Sequence, residues 1–300
     1  MQPNATWKVG DFDIARIGFG AMRLTGSAAF DDRDAVPSDR ARVTAVLRRA
    51  VELGVNHIDT AAFYFSPLRS ANELINSALA PYPDDLLIAT KVGPAREASG
   101  ASYPTRPDHL RGHVEENLRQ LGRDHLDLVY LRRMRQDSIA EYFGVLAELR
   151  EAGLIRHLGL SYVELSHLAE AQAIAPVVAV QNPLSLDSRS RLDVLEACRA
   201  QGIAFVPYYT IAGRSREAGA TADGQDARVE QVARRHGAST AQIHLAWALA
   251  QGPHVLAIPG TGNVEHLEQN VAAGRLQLSA EDLALLDRVG AEGESPAAVA

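Results

Sequence analysis

A single cysteine, Cys198, in 300 residues excludes a disulfide framework and any cysteine-built metal centre. Long apolar runs are also missing: none approaches the roughly 20 residues needed to span a bilayer. The start MQPNATWKVG lacks a basic stretch followed by an apolar core, so no export signal is expected and a reducing, cytoplasmic setting fits. Positive charge is in deficit, with 30 Lys and Arg against 37 Asp and Glu and a formal net charge of −7. Nucleic acid or an anionic membrane would be repelled, and any phosphate must be held locally. His109 and His113 in HLRGH have helical metal-ligand spacing, but no glutamate for catalysis lies between them and no third ligand is indicated. No metal is expected.

What is present is alternation. The β-like runs ARIGFGAM, HIDT, LLIATK, LDLVYL, IRHLGLS, VVAVQ, IAFVPY and VLAIP are separated by stretches with apolar residues at helical spacing. Helices are predicted at 39–53, 71–79, 107–121, 138–151, 164–173, 189–200, as one helix or a pair over 226–250, and at 264–273. Gly54, Gly122, Gly153 and Gly202 each follow a predicted helix, where glycine permits a left-handed step into the next strand. Eight right-handed βα units in one domain spanning 1–300 favour a closed (β/α)8 TIM barrel over an open doubly wound sheet. WKV and FDI around Gly10–Asp11 predict an N-terminal hairpin plugging the barrel floor, and Ser279 predicts the cap of an extra C-terminal helix. The polar stretches 25–38 and 214–225 are expected to be mobile loops.

In such a barrel, chemistry gathers where the strands finish. Asp59 ends the second predicted strand, Lys91 the third, Arg132 the fourth, Ser161 the fifth, Gln181 the sixth and Tyr208 the seventh. Asp59 needs a partner if buried, and Lys91 on the neighbouring strand can supply it. Tyr64 lies just beyond, and an ammonium held against its hydroxyl would favour the phenolate, lowering its pKa from about 10. Singly, each residue reads as an ion pair or a rim aromatic; together they point to a proton donor for a carbonyl oxygen. Ser161 and Gln181 offer hydrogen bonds and Tyr208 a flat face, a combination suited to a planar, carboxamide-bearing ring such as nicotinamide. In IPGTGNVEHLEQN, Gly260, Thr261 and Asn263 occupy a strand-to-helix junction whose N–H groups can receive phosphate. IGFGAMR is a poor dinucleotide fingerprint, because Arg23 stands where a third glycine is needed and no helix follows directly.

GFGAMRL, NHIDTAAFY, LLIATKVG, AGLIRHLGLS, VQNPLS and IPGTGNVEHLEQN, in this order, resemble the signature segments of the aldo-keto reductase superfamily across nearly the whole chain. The resemblance implies a barrel that binds NADP(H) without a Rossmann fold and reduces a carbonyl on a small-molecule substrate by hydride transfer. It implies Tyr64 as proton donor, Asp59 and Lys91 as its tuning pair, Ser161 and Gln181 as carboxamide ligands, and Tyr208 as the stacking aromatic. Thr261, Asn263, His266, Gln269 and Asn270 fall where the family contacts the adenosine and its phosphate.

Several positions depart from that pattern. The family's usual histidine at the fourth strand end is Arg132, and the asparagine often following the fifth-strand serine is Tyr162. The lysine and arginine that many members use for the 2′-phosphate correspond to Gly260 and His266, and the loop after Tyr208 reads Tyr209, Thr210, Ile211, Ala212. Arg132 is expected to orient substrate through its N–H donors. The expected function is NADPH-dependent reduction of an aldehyde or ketone. Reduction of an enone carbon–carbon double bond, or cofactor sensing with little turnover, are the alternatives.

Overall fold

The structure is a computed structural model that describes residues 6–26, 38–66, 68–96, 102–211 and 226–289. The loop expected at 214–225, and all but the edges of that at 25–38, lie outside the described residues. The chain opens with the hairpin β1 (Thr6–Val9) and β2 (Phe12–Ala15), turning at Gly10 with φ 60°. Val9 and Ile14 pack into the barrel floor, and Asp11 takes Arg156 and, at 2.6 Å, the His157 ring. The hairpin therefore plugs the floor as expected.

The barrel strands are β3 (Phe19–Gly20) and β4 (His57–Asp59), then, after a short ribbon of β5 (Phe65–Ser66) and β6 (Arg69–Ser70), β7 (Leu87–Val92). A second ribbon, β8 (Pro94–Arg96) with β9 (Ser102–Pro104), precedes β10 (Leu126–Arg132), β11 (Ile155–Ser161), β12 (Val177–Gln181) and β13 (Ala204–Phe205). Seven strands form one parallel sheet in the order β13-β12-β11-β10-β7-β4-β3. The eighth expected strand, residues 255–259, joins its two edges through bridges Ile17↔Ala257 and Phe205↔Val255. Hydrogen bonds Gly18 N–H to Ala257 O at 2.8 Å and Leu256 N–H to Phe205 O at 2.9 Å close the (β/α)8 barrel. Pro207 and Pro259 have no N–H to extend a ladder, so the seventh and eighth strands are shorter than their apolar runs suggest. Sequence analysis did not anticipate the two ribbons, which are too short to show a period.

The helices are α1 (Arg40–Glu52), α2 (Ala71–Leu79), α3 (Leu110–Leu121), α4 (Ala140–Glu151), α5 (Leu165–Gln172), α6 (Leu192–Gln201), α7 (Ala227–His236), α8 (Thr240–Ala250), α9 (Val264–Ala273) and α10 (Ala280–Leu286). The stretch 226–250 is a pair, broken by Gly237 at φ 56° and restarted by a capping box of Ser239 with Gln242. Ser279 caps α10 in the same way. Gly54, Gly122, Gly153 and Gly202 all have positive φ, matching the helix ends read from sequence. Among the described residues no helix is long and apolar enough to cross a membrane.

Strand periodicity positions the site. Leu87, Ala89, Leu128, Tyr130, Ala179, Ala204, Val206 and Leu256 fill the barrel, while Ile88, Val129, Leu131, Leu160, Val180 and Phe205 join the larger core. Side chains alternate with period two, so the residue two beyond each interior one also points inward. Two beyond Ala89 is Lys91, beyond Tyr130 is Arg132, and beyond Ala179 is Gln181.

Candidate active site

Asp59 and Lys91 form a buried pair, each about 4% exposed, with Lys91 Nζ 2.5 Å from Asp59 Oδ1 and 3.0 Å from the Thr60 carbonyl. The other Asp59 oxygen accepts from Gln181 Nε2 at 2.7 Å. Burial lowers the Lys91 pKa, and the Asp59 charge and hydrogen bond oppose that shift. The outward-facing neighbours of the pair are tied down as well. Thr60 donates to Asn72 of α2 at 2.7 Å, Thr90 donates to Asn117 of α3 at 2.5 Å, and Asn72 donates to both Asn117 and Gln120. This buried amide network fixes the two strand ends against two helices and was not legible beforehand. Its signal was threonine beside Asp59 and Lys91 at otherwise apolar, helix-facing positions.

Tyr64 follows Asp59 on a turn closed by its own N–H to Ala61 O at 3.0 Å and by Ala71 N–H to Tyr64 O at 2.9 Å. It is 8% exposed, and Lys91 Nζ lies 4.9 Å from its ring centre. The expected Tyr64, Lys91 and Asp59 set is thus brought together. An ammonium at that range favours any negative charge on the phenol.

Arg132 completes the opposite side. Its Nη1 donates to Tyr208 Oη at 2.8 Å and Ser161 Oγ at 3.2 Å, and its guanidinium lies 4.8 Å from the Tyr162 ring centre and 5.1 Å from that of Tyr208. Burial alone would lower its pKa; the Tyr208 hydroxyl, with Tyr209 and Tyr64 in electrostatic reach, raises it overall. Tyr162 and Tyr209 both have positive φ, 63° and 64°, immediately after two of these strand ends. Asn182 locks the first: its Oδ1 accepts from Val163 N–H and its Nδ2 donates to Val163 O, each at 2.9 Å. Neither the stacking of Tyr162 on Arg132 nor the Asn182 clamp was anticipated, because both depend on backbone outside the regular strands.

The residues expected to hold a nicotinamide offer a matching donor and acceptor. Ser161 and Gln181 are register partners on β11 and β12. Ser161 Oγ accepts from Arg132 and keeps its proton to donate; Gln181 gives its amide N–H to Asp59 and keeps its carbonyl oxygen to accept. A primary carboxamide needs one of each. The buried Thr210 Oγ1, two residues beyond Tyr208, has no hydrogen-bond partner among the described residues and could serve a phosphate oxygen. At the head of α9, Asn263 caps the helix through Glu265 N–H at 2.8 Å, and Thr261 Oγ1 accepts from Asn263 N–H at 3.0 Å. Their side chains therefore shape the turn first. His266 and Gln269 are exposed on α9 and Asn270 is buried. Gly260 abuts Gly20, whose neighbour Ala21 donates to Asp59 O at 2.8 Å, so this helix head adjoins the Asp59 strand end.

Two further polar groups inside the barrel escaped sequence analysis. His57, two residues before Asp59, is fully buried with neither ring nitrogen partnered among the described residues, and burial lowers its pKa to about 4. The Tyr130 hydroxyl also has no partner among the described residues, and burial, reinforced by the Asp59 charge, raises its pKa well above the usual phenol value.

Comparison with known proteins agrees with this architecture. The Aldo/keto reductase family pattern matches residues 16–291. The chain is 40% identical to pyridoxine 4-dehydrogenase of Escherichia coli (strain K12) over 96% of its own length and 99% of that protein's. A thermostable aldo-keto reductase solved with the inhibitor epalrestat superimposes with a TM-score of 0.79 at 30% identity, covering 95% of this chain and 99% of that one. An aldo/keto reductase of Klebsiella pneumoniae, solved with NADP and acetate, gives 0.77 at 28% identity over 96% of each chain. With a family pattern covering almost the whole barrel and a relative matched nearly end to end, the chain belongs to the aldo/keto reductase family.

Proposed function

We propose that this chain is an NADP(H)-dependent oxidoreductase that interconverts a carbonyl and the corresponding alcohol, with Tyr64 moving the proton. The observation carrying this reading is the buried Asp59–Lys91 pair with its ammonium 4.9 Å from the Tyr64 ring centre. NADP(H) is supported by the complementary Ser161 and Gln181 groups, the Thr210 hydroxyl, which has no partner among the described residues, and the NADP carried by the Klebsiella relative. Bound there, the nicotinamide would supply a hydride in reduction and accept one in oxidation. Tyr64 gives its proton to the carbonyl oxygen as that oxygen gains charge, and Lys91 stabilises the phenolate left behind. Asp59 holds Lys91 in place and offsets the cost of burying its charge. The 40% identity to a pyridoxine 4-dehydrogenase makes pyridoxal and pyridoxine the first substrate pair to test.

Tyr64→Phe removes the proton and little else. Turnover should fall by about 10²–10⁴-fold, the range of positioned general-acid catalysis, while NADPH affinity measured by fluorescence stays within a few fold. Turnover at the wild-type rate would reject Tyr64 as the acid. Product analysis, alcohol against saturated carbonyl from an enone, tests the bond that is reduced.

A further inference from the structure

Arg132 is a half-buried cation whose fork is left open. Its Nη1 serves Ser161 and Tyr208, but among the described residues its Nε and Nη2 have no hydrogen-bond acceptor and its charge has no carboxylate partner. The contrast within the same molecule is sharp. Arg123 closes on Asp127, Arg191 on Glu164, Arg228 on Asp226, and Arg16 on the carbonyls of Leu249, Gly252 and Val255. Lys91 is already neutralised by Asp59, so among the described residues Arg132 is left as an uncompensated positive charge at the strand ends, within electrostatic reach of Tyr64. The rings of Tyr162 and Tyr208 beside it soften its desolvation without supplying a counter-charge. A planar fork with free donors suits an anionic oxygen.

We propose that Arg132 binds an ionised oxygen on the ring atom next to the one bearing the carbonyl, so that the site selects ortho-hydroxyaryl aldehydes of the 3-hydroxypyridine-4-carbaldehyde type, pyridoxal among them, as their oxyanions. This rests on the carbonyl–alcohol reading above and specifies its substrate class. The two neighbouring oxygens divide between two partners: the carbonyl oxygen at Tyr64 and the ring oxyanion at Arg132. The oxyanion takes no part in bond making, and its role is orientation and selection.

The test compares 3-hydroxypyridine-4-carbaldehyde with its 3-methoxy counterpart and with pyridine-4-carbaldehyde, which share the reacting group but cannot ionise at that position. Binding to the wild-type NADP⁺ complex, where aldehyde reduction cannot proceed, is measured by calorimetry, and turnover with NADPH separately. The hydroxylated aldehyde should bind on the order of 10–100-fold tighter, the range of a hydrogen bond to a charged group. In Arg132→Met the preference should fall at least 10-fold, mainly through KM, and Arg132→Lys should restore part of it. NADP⁺ affinity and melting temperature report whether each variant is folded. Equal wild-type binding of the hydroxy and methoxy compounds, or an unchanged preference in folded Arg132→Met, overturns the proposal. Selective binding without reduction of any of the three would uphold the Arg132 assignment and sink the carbonyl-reductase reading.

Discussion

Tyr162 occupies backbone space that costs a non-glycine residue about 1–2 kcal/mol, and its ring lies beside the Arg132 guanidinium. Asparagine tolerates that conformation better, so Tyr162→Asn recovers part of the backbone cost and loses a cation–π contact worth about 0.5–2 kcal/mol. The two effects nearly cancel in stability but not in function, because Arg132 loses a neighbour that holds its plane. A melting temperature within a few degrees of wild type is expected, together with a roughly 3- to 10-fold loss of preference for the hydroxylated aldehyde. An unchanged preference would mean that Tyr162 does not hold Arg132. Asp59, Lys91 and Arg132 were legible in the sequence because each ends an apolar run, where period-two alternation dictates the inward direction. The second role of Gln181 was not legible: its distance of 122 residues from Asp59 hides a hydrogen bond that only barrel closure creates.

Closure itself depends on elements that leave little trace in composition. A Cβ on Gly20 would stand 2.5 Å from the Ile258 carbonyl, and one on Gly260 would stand 2.5 Å from the Gly20 carbonyl. Backbone meets backbone where β3 passes residues 258–260, and neither glycine is explained by φ, since neither has a positive value. Gly20→Ala should force β3 and the head of α9 apart, weakening NADPH binding by about 10-fold or more and lowering stability by about 1–3 kcal/mol, the cost of an overpacked site. Fluorescence titration and urea melts check this, and wild-type values for both would show that the contact yields freely. Helix ends were readable because caps and left-handed glycines act over one turn; the register of the closing bridge Ile17↔Ala257 was not, because it joins segments 240 residues apart, although the eighth strand itself was expected. The expected strand order followed from the βα alternation alone, whereas the ribbons inserted after β4 and β7 had no periodicity to betray them.

At the level of the whole barrel, the polar layer beneath the Asp59–Lys91 pair couples stability to pH. His57 is neutral inside the fold, with a pKa of about 4 against 6.5 in the unfolded chain, and its ring packs against Gly18 with no partner for either nitrogen among the described residues. Between those values the unfolded chain binds a proton that the folded one refuses, so acidification favours unfolding. The loss begins as pH falls below 6.5, grows by about 1.4 kcal/mol per pH unit, and reaches about 3 kcal/mol near pH 4. His113, His244 and His254 are shifted the same way by burial and steepen the slope. Asp282, lowered to about 2, contributes stability above its unfolded value of 3.8, so that contribution stays constant through this window and is lost only below it. Urea unfolding between pH 7.5 and 4 should therefore show falling stability in wild type, and His57→Asn should flatten the slope by one proton. Identical slopes in the two proteins would mean that His57 takes up its proton inside the folded barrel, which would require solvent or a compensating anion to reach the layer beneath Asp59.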